Sequence, residues 1–199
     1  SYDGLQRLVT ETGLNIRGMI VYLGVTRGNV DEFRSGRRPH YLVDADIKTL
    51  TDLVQRGVVP RFSLEPHVHG GDEAMRFIIE SEDVLKDIAQ TLAPLGPCTM
   101  RLASELNLWD SIYHIPTTSA PSMKLMAKAF ATVRGVFSQH APNVAISFSP
   151  FIPNGPTEAE RAHCLHLIAR YIPVVKNHVD LFTGTFYPRS PGEVPGLIA

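Results

Sequence analysis

The sequence predicts an α/β protein in which parallel strands alternate with helices. Two observations predict this class: apolar runs of strand length recur along the chain, and longer amphipathic helical patterns separate them. Continuous apolar runs are typical of parallel strands that are covered on both faces. The alternating order favours parallel pairing with right-handed crossovers, so we expect a single parallel sheet.

Five segments have the length and composition of buried strands. The first, at residues 18–25 (GMIVYLGV), is a continuous run of apolar and small residues. Strand centres recur about every forty residues, a spacing that leaves room for functional loops after each strand. The predicted strands span residues 19–25, 59–64, 99–104, 145–149 and 179–185.

Helical patterns occupy the intervals between the predicted strands. In the first of them Ile47, Leu50 and Leu53 recur at helical spacing and would form one apolar face. The predicted helices span residues 45–56, 83–95, 121–139 and 157–171, and a further helix-like segment at 5–12 precedes the first strand. We find no linker or low-complexity segment, and we expect one domain over residues 1–199.

Composition and charge exclude several classes of partner. The 199 residues include 19 basic and 20 acidic side chains, so there is no basic surface for nucleic acid and no polybasic patch for a membrane. No apolar run approaches the roughly 18 residues of a membrane span, and the first residues lack the character of a signal peptide. Cys98 and Cys164 form neither a metal motif nor a disulfide framework, so we expect two buried thiols.

The strongest functional signal is the segment at residues 100–109 (MRLASELNLW). It reads as a buried strand that is followed closely by Glu105, Asn107 and Trp109. Active sites assemble at the carboxyl ends of parallel strands, so Glu105 is a candidate general acid/base.

This segment resembles the Arg-x-x-His-Glu-Met-Asn sequence, with a nearby Trp, of family 26 glycoside hydrolases, the β-mannanases and their relatives. In that family the Glu on strand four of a (β/α)8 TIM barrel is the general acid/base of a retaining mechanism. The resemblance implies that Glu105 has this role and that Asn107 and Trp109 occupy polar and sugar-stacking positions. Ser104 stands where the family usually has His, and a half-buried packing role for Trp109 remains open.

Two further strand ends fit the same resemblance. Glu65 and Pro66 match a Glu-Pro pair that the family often carries, which implies that Glu65 faces the same mouth as Glu105 and is a candidate substrate-binding residue. The segment 179–186 (VDLFTGTF) followed by Tyr187 resembles the family's strand-six ending, whose phenol hydrogen-bonds the nucleophile. Tyr187 could bind sugar or simply pack at the sheet rim, and His67 could hydrogen-bond neighbours or sugar hydroxyls.

The resemblance matches the predicted strands to barrel strands two to six, so that strands one, seven and eight are missing. Eight units of this spacing would need about 320 residues. The family's nucleophile, a Glu at the end of strand seven, has no counterpart, and Glu193 lies in a Pro/Gly loop where we expect a solvated carboxylate. The chain is then a fragment, a pared-down barrel or a sheet that pairs with another chain. An open doubly wound sheet is the alternative.

Three other patterns contain side chains that can carry chemistry. Glu65, His67 and His69 could form a three-ligand metal site, but one His-x-His is a weak signal and we expect no metal. A buried Arg101 would need a carboxylate partner and would support a charged cluster. Ser149 ends a strand but has no Gly-x-Ser-x-Gly elbow around it, which argues against a serine hydrolase.

Three functions follow from these patterns. The first is a glycoside hydrolase-like protein that acts on or binds β-linked polysaccharide of the mannan or β-glucan class, with Glu105 as general acid/base and without a cofactor. The second is a non-catalytic carbohydrate-binding or subunit-interaction protein derived from the same barrel, and the third is a metal-dependent hydrolase. By resemblance we expect a secreted or periplasmic protein whose partner is carbohydrate, and a homo-oligomer or partner chain would complete the sheet.

Overall fold

The computed structural model describes residues 7, 10–11, 13, 18–37, 44–107, 119–152 and 157–185. Within these ranges, strands alternate with one or two helices. The elements in chain order are β1 (Gly18–Val25), α1 (Arg27–Arg34), α2 (Asp44–Gln55), β2 (Val59–Pro66), α3 (Gly71–Glu80), α4 (Glu82–Leu92), a 3-10 turn (Ala93–Leu95), β3 (Cys98–Leu102), α5 (Ala120–His140), β4 (Val144–Phe148), α6 (Glu158–Val175) and β5 (Leu181–Phe182). No helix in this part of the chain is long and apolar enough to cross a membrane.

All five strands belong to one parallel sheet, whose spatial order β1-β2-β3-β4-β5 is the order along the chain. The predicted parallel sheet is therefore confirmed. A doubly wound sheet reverses its strand order at a switch point, and the described sheet does not. The doubly wound alternative is wrong, and the architecture is that of a partial (β/α) barrel.

One face of the sheet carries the hydrophobic core. Alternate strand residues on this outer face are almost fully buried under helices, among them Leu23, Leu64, Met100 and Ile146. Phe148 lies at the centre of the outer face, where its ring meets the rings of Phe130, Tyr171 and Phe182 edge to face. Burial of this apolar surface is the main term that stabilises the sheet.

The core contains two buried cysteine thiols. Cys98 and Cys164 are free and buried, as the sequence predicted, and burial raises the pKa of the Cys98 thiol to about 11.

Asp180 connects β5 to the rest of the sheet. Its Oδ2 accepts hydrogen bonds from the Ile146 backbone N at 2.7 Å and from Arg134 Nη1 at 2.6 Å.

Several boundaries differ from the predicted ones. Strand β3 ends at Leu102, two residues before the predicted end, because Ala103 adopts a positive φ of 47° that cannot continue a strand. Helix α1 was not predicted, although Thr26 caps it by accepting from the Asn29 backbone N. Helix α3 was also not predicted and follows Gly70 directly. The helix-like segment at 5–12 lies mostly outside the described residues.

Candidate functional site

The inner face of the sheet, opposite the core, carries a row of polar side chains. The strand register places Tyr22, Ser63, Arg101 and Ser147 side by side across four strands. Tyr22 is 62% exposed and Ile20 beside it is 53% exposed, so no described helix covers this edge. A cavity of about 450 Å³ opens on this face, with Arg61, Arg101, Ser149 and Thr185 among its lining residues.

Arg101 is the centre of a hydrogen-bond network on the inner face. Its Nε donates to Ser63 Oγ at 2.5 Å, its Nη1 donates to Thr185 Oγ1 at 3.1 Å, and its Nη2 donates to the Tyr22 hydroxyl at 3.3 Å. Ser63 in turn donates to Glu65 Oε1. Arg101, which is half-buried, therefore reaches a carboxylate through a serine hydroxyl.

Glu65 lies at the end of β2 and is only 5% exposed. Besides the bond from Ser63 to Oε1, its Oε2 accepts a hydrogen bond from the Ser104 backbone N at 3.3 Å. Ser104 belongs to the turn that follows β3, so the Glu65 carboxylate links the end of β2 to the turn after β3. Glu65 and the segment that contains Glu105 meet at one edge of the sheet.

The turn at residues 103–107 has an unusual backbone. Ala103 has φ 47° and Glu105 has φ 59°, and these are the non-glycine residues with positive φ in the part of the chain that is described. Such conformations cost about 1–2 kcal/mol for L-residues other than glycine, and they cluster at functional sites. The neighbouring strands hold the turn, since Ala103 N donates to Leu64 O at 2.9 Å and Glu105 N to Ser149 O at 3.4 Å.

Glu105 is half-buried within this turn. The sequence led us to expect it directly at the strand tip, whereas it lies three residues beyond the last residue of β3. It still lies at the carboxyl edge of the parallel sheet, where side chains from several strands can reach one ligand.

Asn107 is completely buried, and its amide is engaged with backbone groups. Its Oδ1 accepts from Phe151 N at 2.8 Å and its Nδ2 donates to Phe151 O at 2.9 Å, an arrangement that fixes the loop after β4 to the 103–107 turn. The Cys164 thiol also donates to Asn107 O at 3.5 Å. In this structure Asn107 supports the turn and offers no surface to a sugar.

His67 and His69 are exposed at the start of the loop after β2. The His67 ring lies over Gly24 of β1, where a Cβ atom would be 2.8 Å from its Nε2, so that the absence of a side chain at Gly24 makes room for the imidazole. Within the described ranges no group of three His, Cys, Asp or Glu residues could hold a metal ion. The geometry gives the metal-dependent hydrolase on Glu65, His67 and His69 no support.

Three of the residues singled out from the sequence, Trp109, Tyr187 and Glu193, lie outside the described residues. The structure also shows three residues of the site that the sequence did not single out. These residues, each hydrogen-bonded to Arg101, are Tyr22, Ser63 and Thr185. The signal that could have found Ser63 is its position two residues before Glu65, since alternate strand residues share a face.

Comparisons with known proteins support the fold. No family model matches the chain, and no curated protein sequence matches it. Among solved structures, a family GH18 chitinase from Pseudoalteromonas aurantia is similar with a TM-score of 0.54 and 13% identity over 92% of this chain and 65% of its own. Two further similar structures are a mannanase of Bacillus subtilis (TM-score 0.47, 12% identity, 94% of this chain and 85% of its own) and the GH53 catalytic domain of Ignisphaera aggregans (0.49, 16%, 92% and 52%).

At these identities the similarity concerns the fold alone, and of the three structures the chitinase is the one with a TM-score above 0.5. The chain spans about two thirds of the chitinase and half of the GH53 domain. The fold is therefore TIM-barrel-like, similar to that of the chitinase, and the chemistry has to be argued from the site itself.

Proposed function

We propose that this chain is a glycoside hydrolase-like protein that acts on or binds a β-linked polysaccharide, with Glu105 as the general acid/base. The observation that carries the proposal is the 103–107 turn. Glu105 lies in this turn at the carboxyl edge of a parallel sheet, in a backbone conformation that carries strain, and the preceding residue, Ser104, is hydrogen-bonded to the Glu65 carboxylate. Strain of this kind persists only where surrounding structure enforces it, and it is enriched at active sites.

The chemistry of the inner face suits a carbohydrate. Sugar hydroxyls bind to side chains that both donate and accept hydrogen bonds, and Tyr22, Ser149 and Thr185 supply such groups beside the guanidinium of Arg101. In a glycoside hydrolase the general acid protonates the leaving oxygen while a second carboxylate attacks the sugar or activates water. Glu65 is 5% exposed and accepts a hydrogen bond on each oxygen, so turnover requires a carboxylate other than Glu65 in that second role.

The mannan or β-glucan class enters the proposal through the resemblance of residues 100–109 to the β-mannanases. Trp109 and Tyr187 are proposed as sugar-stacking and sugar-binding residues on the same basis. His67, exposed beside Gly24 at the same edge of the sheet, is proposed as a hydrogen-bond partner of a sugar hydroxyl.

The experiment is to incubate the chain with β-mannan and with mixed-linkage β-glucan, to follow the release of reducing ends, and to measure retention by affinity electrophoresis. We expect Glu105→Gln to abolish turnover and leave retention, because the amide cannot donate a proton to the leaving oxygen. Glu80→Gln is the matched control, since Glu80 is the exposed last residue of α3, a helix that leads away from the carboxyl edge of the sheet. Turnover that survives in Glu105→Gln would contradict the proposal.

The second candidate is a non-catalytic carbohydrate-binding or subunit-interaction protein. Two observations favour it: Ser104 replaces the histidine of the resembling segment, and Ile20 and Tyr22 expose large apolar surface along edge strand β1. A second chain that pairs with β1 and also packs over the inner face would cover both side chains. Retention on the polysaccharide without turnover, together with a solution mass above that of one chain, would favour this candidate.

A further inference from the structure

We propose that Glu65 is a positioning residue, whose buried carboxylate holds the 103–107 turn in the conformation that presents Glu105. The inference rests on the proposed function of Glu105, and it gives Glu65 a supporting role in place of the sugar contact expected from the sequence. Its basis is one carboxylate that joins two strand ends and an arginine network.

The first step concerns the acceptors of Glu65. Oε1 accepts the hydroxyl of Ser63, and Oε2 accepts the Ser104 backbone N–H at 3.3 Å. The residue is only 5% exposed. A buried carboxylate must find its partners inside the protein, and these bonds provide them. Little of the group is left for a ligand to contact.

The second step concerns charge and bond direction. Ser63 has a single hydroxyl proton, which it donates to Glu65, while its lone pairs accept from Arg101 Nε at 2.5 Å. The bonds therefore run in one direction, from guanidinium to hydroxyl to carboxylate. Arg101 compensates the charge of Glu65 across the hydroxyl, and its remaining nitrogens bond to Tyr22 and Thr185.

The third step concerns the strained backbone. Ser104 lies between the two residues of positive φ. The backbone N–H groups of residues 103, 104 and 105 each donate to an acceptor outside the turn. Ala103 N and Glu105 N donate to the carbonyl oxygens of Leu64 and Ser149, whereas Ser104 N donates to the Glu65 carboxylate. Glu65 thus makes the only side-chain contact among these three bonds, and its loss would free the turn to relax.

The experiment measures amide hydrogen exchange and turnover in Glu65→Ala and Glu65→Gln, with Glu80→Gln as control. Because Glu65→Ala removes the charged acceptor of the Ser104 N–H, we expect Ser104 amide exchange to speed up about tenfold or more in this variant. Amides within β2 and β3 should keep their protection. We expect kcat to fall with little change in KM, and Glu65→Gln, which retains an acceptor oxygen, to recover part of both losses.

Two results would overturn the proposal. One is unchanged Ser104 exchange in folded Glu65→Ala. The other is a uniform loss of protection across the sheet, since it would show general destabilisation and no specific hold on the turn. Absence of turnover in the unsubstituted chain would count against the proposed function of Glu105, while the exchange data would still decide the role of Glu65.

A measurement on the unsubstituted chain covers the case in which the variants fail to fold. The Ser104 amide should exchange about as slowly as the amides of Ala103 and Glu105, because the Glu65 carboxylate holds it as neighbouring carbonyl oxygens hold the other two. A Ser104 amide that exchanges at the rate of an exposed, unbonded amide while Ala103 and Glu105 are protected would overturn the proposal.

Discussion

The two faces of the sheet are built from neighbouring residues but are stabilised in different ways. On β4, Phe148 points into an apolar cluster of aromatic rings, while Ser147 on the opposite face bonds to the Met100 carbonyl oxygen. The outer face is held by dispersion and burial, which are non-directional and tolerate many side chains. The inner face is held by directed bonds among Arg101, Ser63 and Glu65, where each group depends on the next.

This difference separates folding from function. The outer face supplies the free energy that forms the sheet, and part of it offsets the strain of the positive φ values at Ala103 and Glu105. The inner face contributes less to stability but determines which groups the carboxyl edge presents. Substitutions on the outer face should therefore change stability most, and substitutions on the inner face should change the turn and the site.

The largest expected effect is on the outer face. Phe148→Ala should lower the free energy of unfolding by about 3–5 kcal/mol, because it removes a buried ring and leaves a cavity. The measurement is urea denaturation, in which the midpoint should fall while the m-value, the slope of the unfolding free energy against urea concentration, stays unchanged. Phe182→Ala is the matched control, since the Phe182 ring contacts Phe148 but is 51% exposed, and it should cost clearly less. Equal losses in the two variants would remove the distinction between a packed core and its rim.

On the inner face, Ser63→Ala should lower the free energy of unfolding by about 1–3 kcal/mol, because it leaves the Arg101 guanidinium and the Glu65 carboxylate without their bridging hydroxyl. Ser147→Ala, which removes a neutral bond to the Met100 carbonyl oxygen, should cost about 0.5–1.5 kcal/mol. Denaturant midpoints of the two variants check the order. If Ser147→Ala cost more than Ser63→Ala, the Arg101–Ser63–Glu65 network would contribute no more to stability than a single neutral hydrogen bond.

Alkaline pH should weaken the outer face through Cys98. Burial raises the pKa of this thiol from 9.0 to about 11, so the folded state holds its proton more tightly than the unfolded state does. The resulting stabilisation is fully present below pH 9 and is lost as the pH rises towards 11. Thermal unfolding between these pH values should show a decline that Cys98→Ala reduces. An identical decline in that variant would assign the effect to other groups, such as Tyr171, whose pKa burial also raises.

The smallest expected effect is at a surface ion pair on the outer side. Arg134→Gln should cost no more than about 1 kcal/mol, because the ion pair with Asp180 is partly exposed and screened by water. Asp180→Ala should cost more, because it also leaves the Ile146 N–H without its acceptor. Thermal melts of the two variants give the comparison, and a larger loss in Arg134→Gln would contradict it.

The sequence predicted the outer face well because the spacing of apolar residues reflects which side chains are buried. The apolar runs located all five strands, and the four helices with long amphipathic patterns appear within a few residues of their predicted bounds. Helix α3 was missed although Ala74, Met75, Phe77 and Ile78 recur at helical spacing, because the histidine- and glycine-rich residues before it read as one loop. Helix α1 is short, and its Thr26–Asn29 cap is a weak signal.

The inner face was less predictable because it depends on contacts between distant residues. Glu65 and Ser104 are bonded across 39 positions, and Arg101 meets Thr185 across 84. The positive φ of Ala103 and Glu105 leaves no mark in composition, since neither residue type favours that conformation. Asn107 shows the limit most clearly: the resemblance implied a substrate-binding position for it, whereas its amide is hydrogen-bonded to the Phe151 backbone.

The most direct test of the account is to titrate the isotopically labelled chain with a β-linked manno-oligosaccharide and to follow the amide resonances. The account predicts that shifts cluster at the carboxyl edge and inner face, in residues 63–67, 101–107 and 147–151, while the amides of α4 and α5 on the outer face stay unchanged. Shifts confined to those outer helices, or no shifts at saturating sugar, would contradict it.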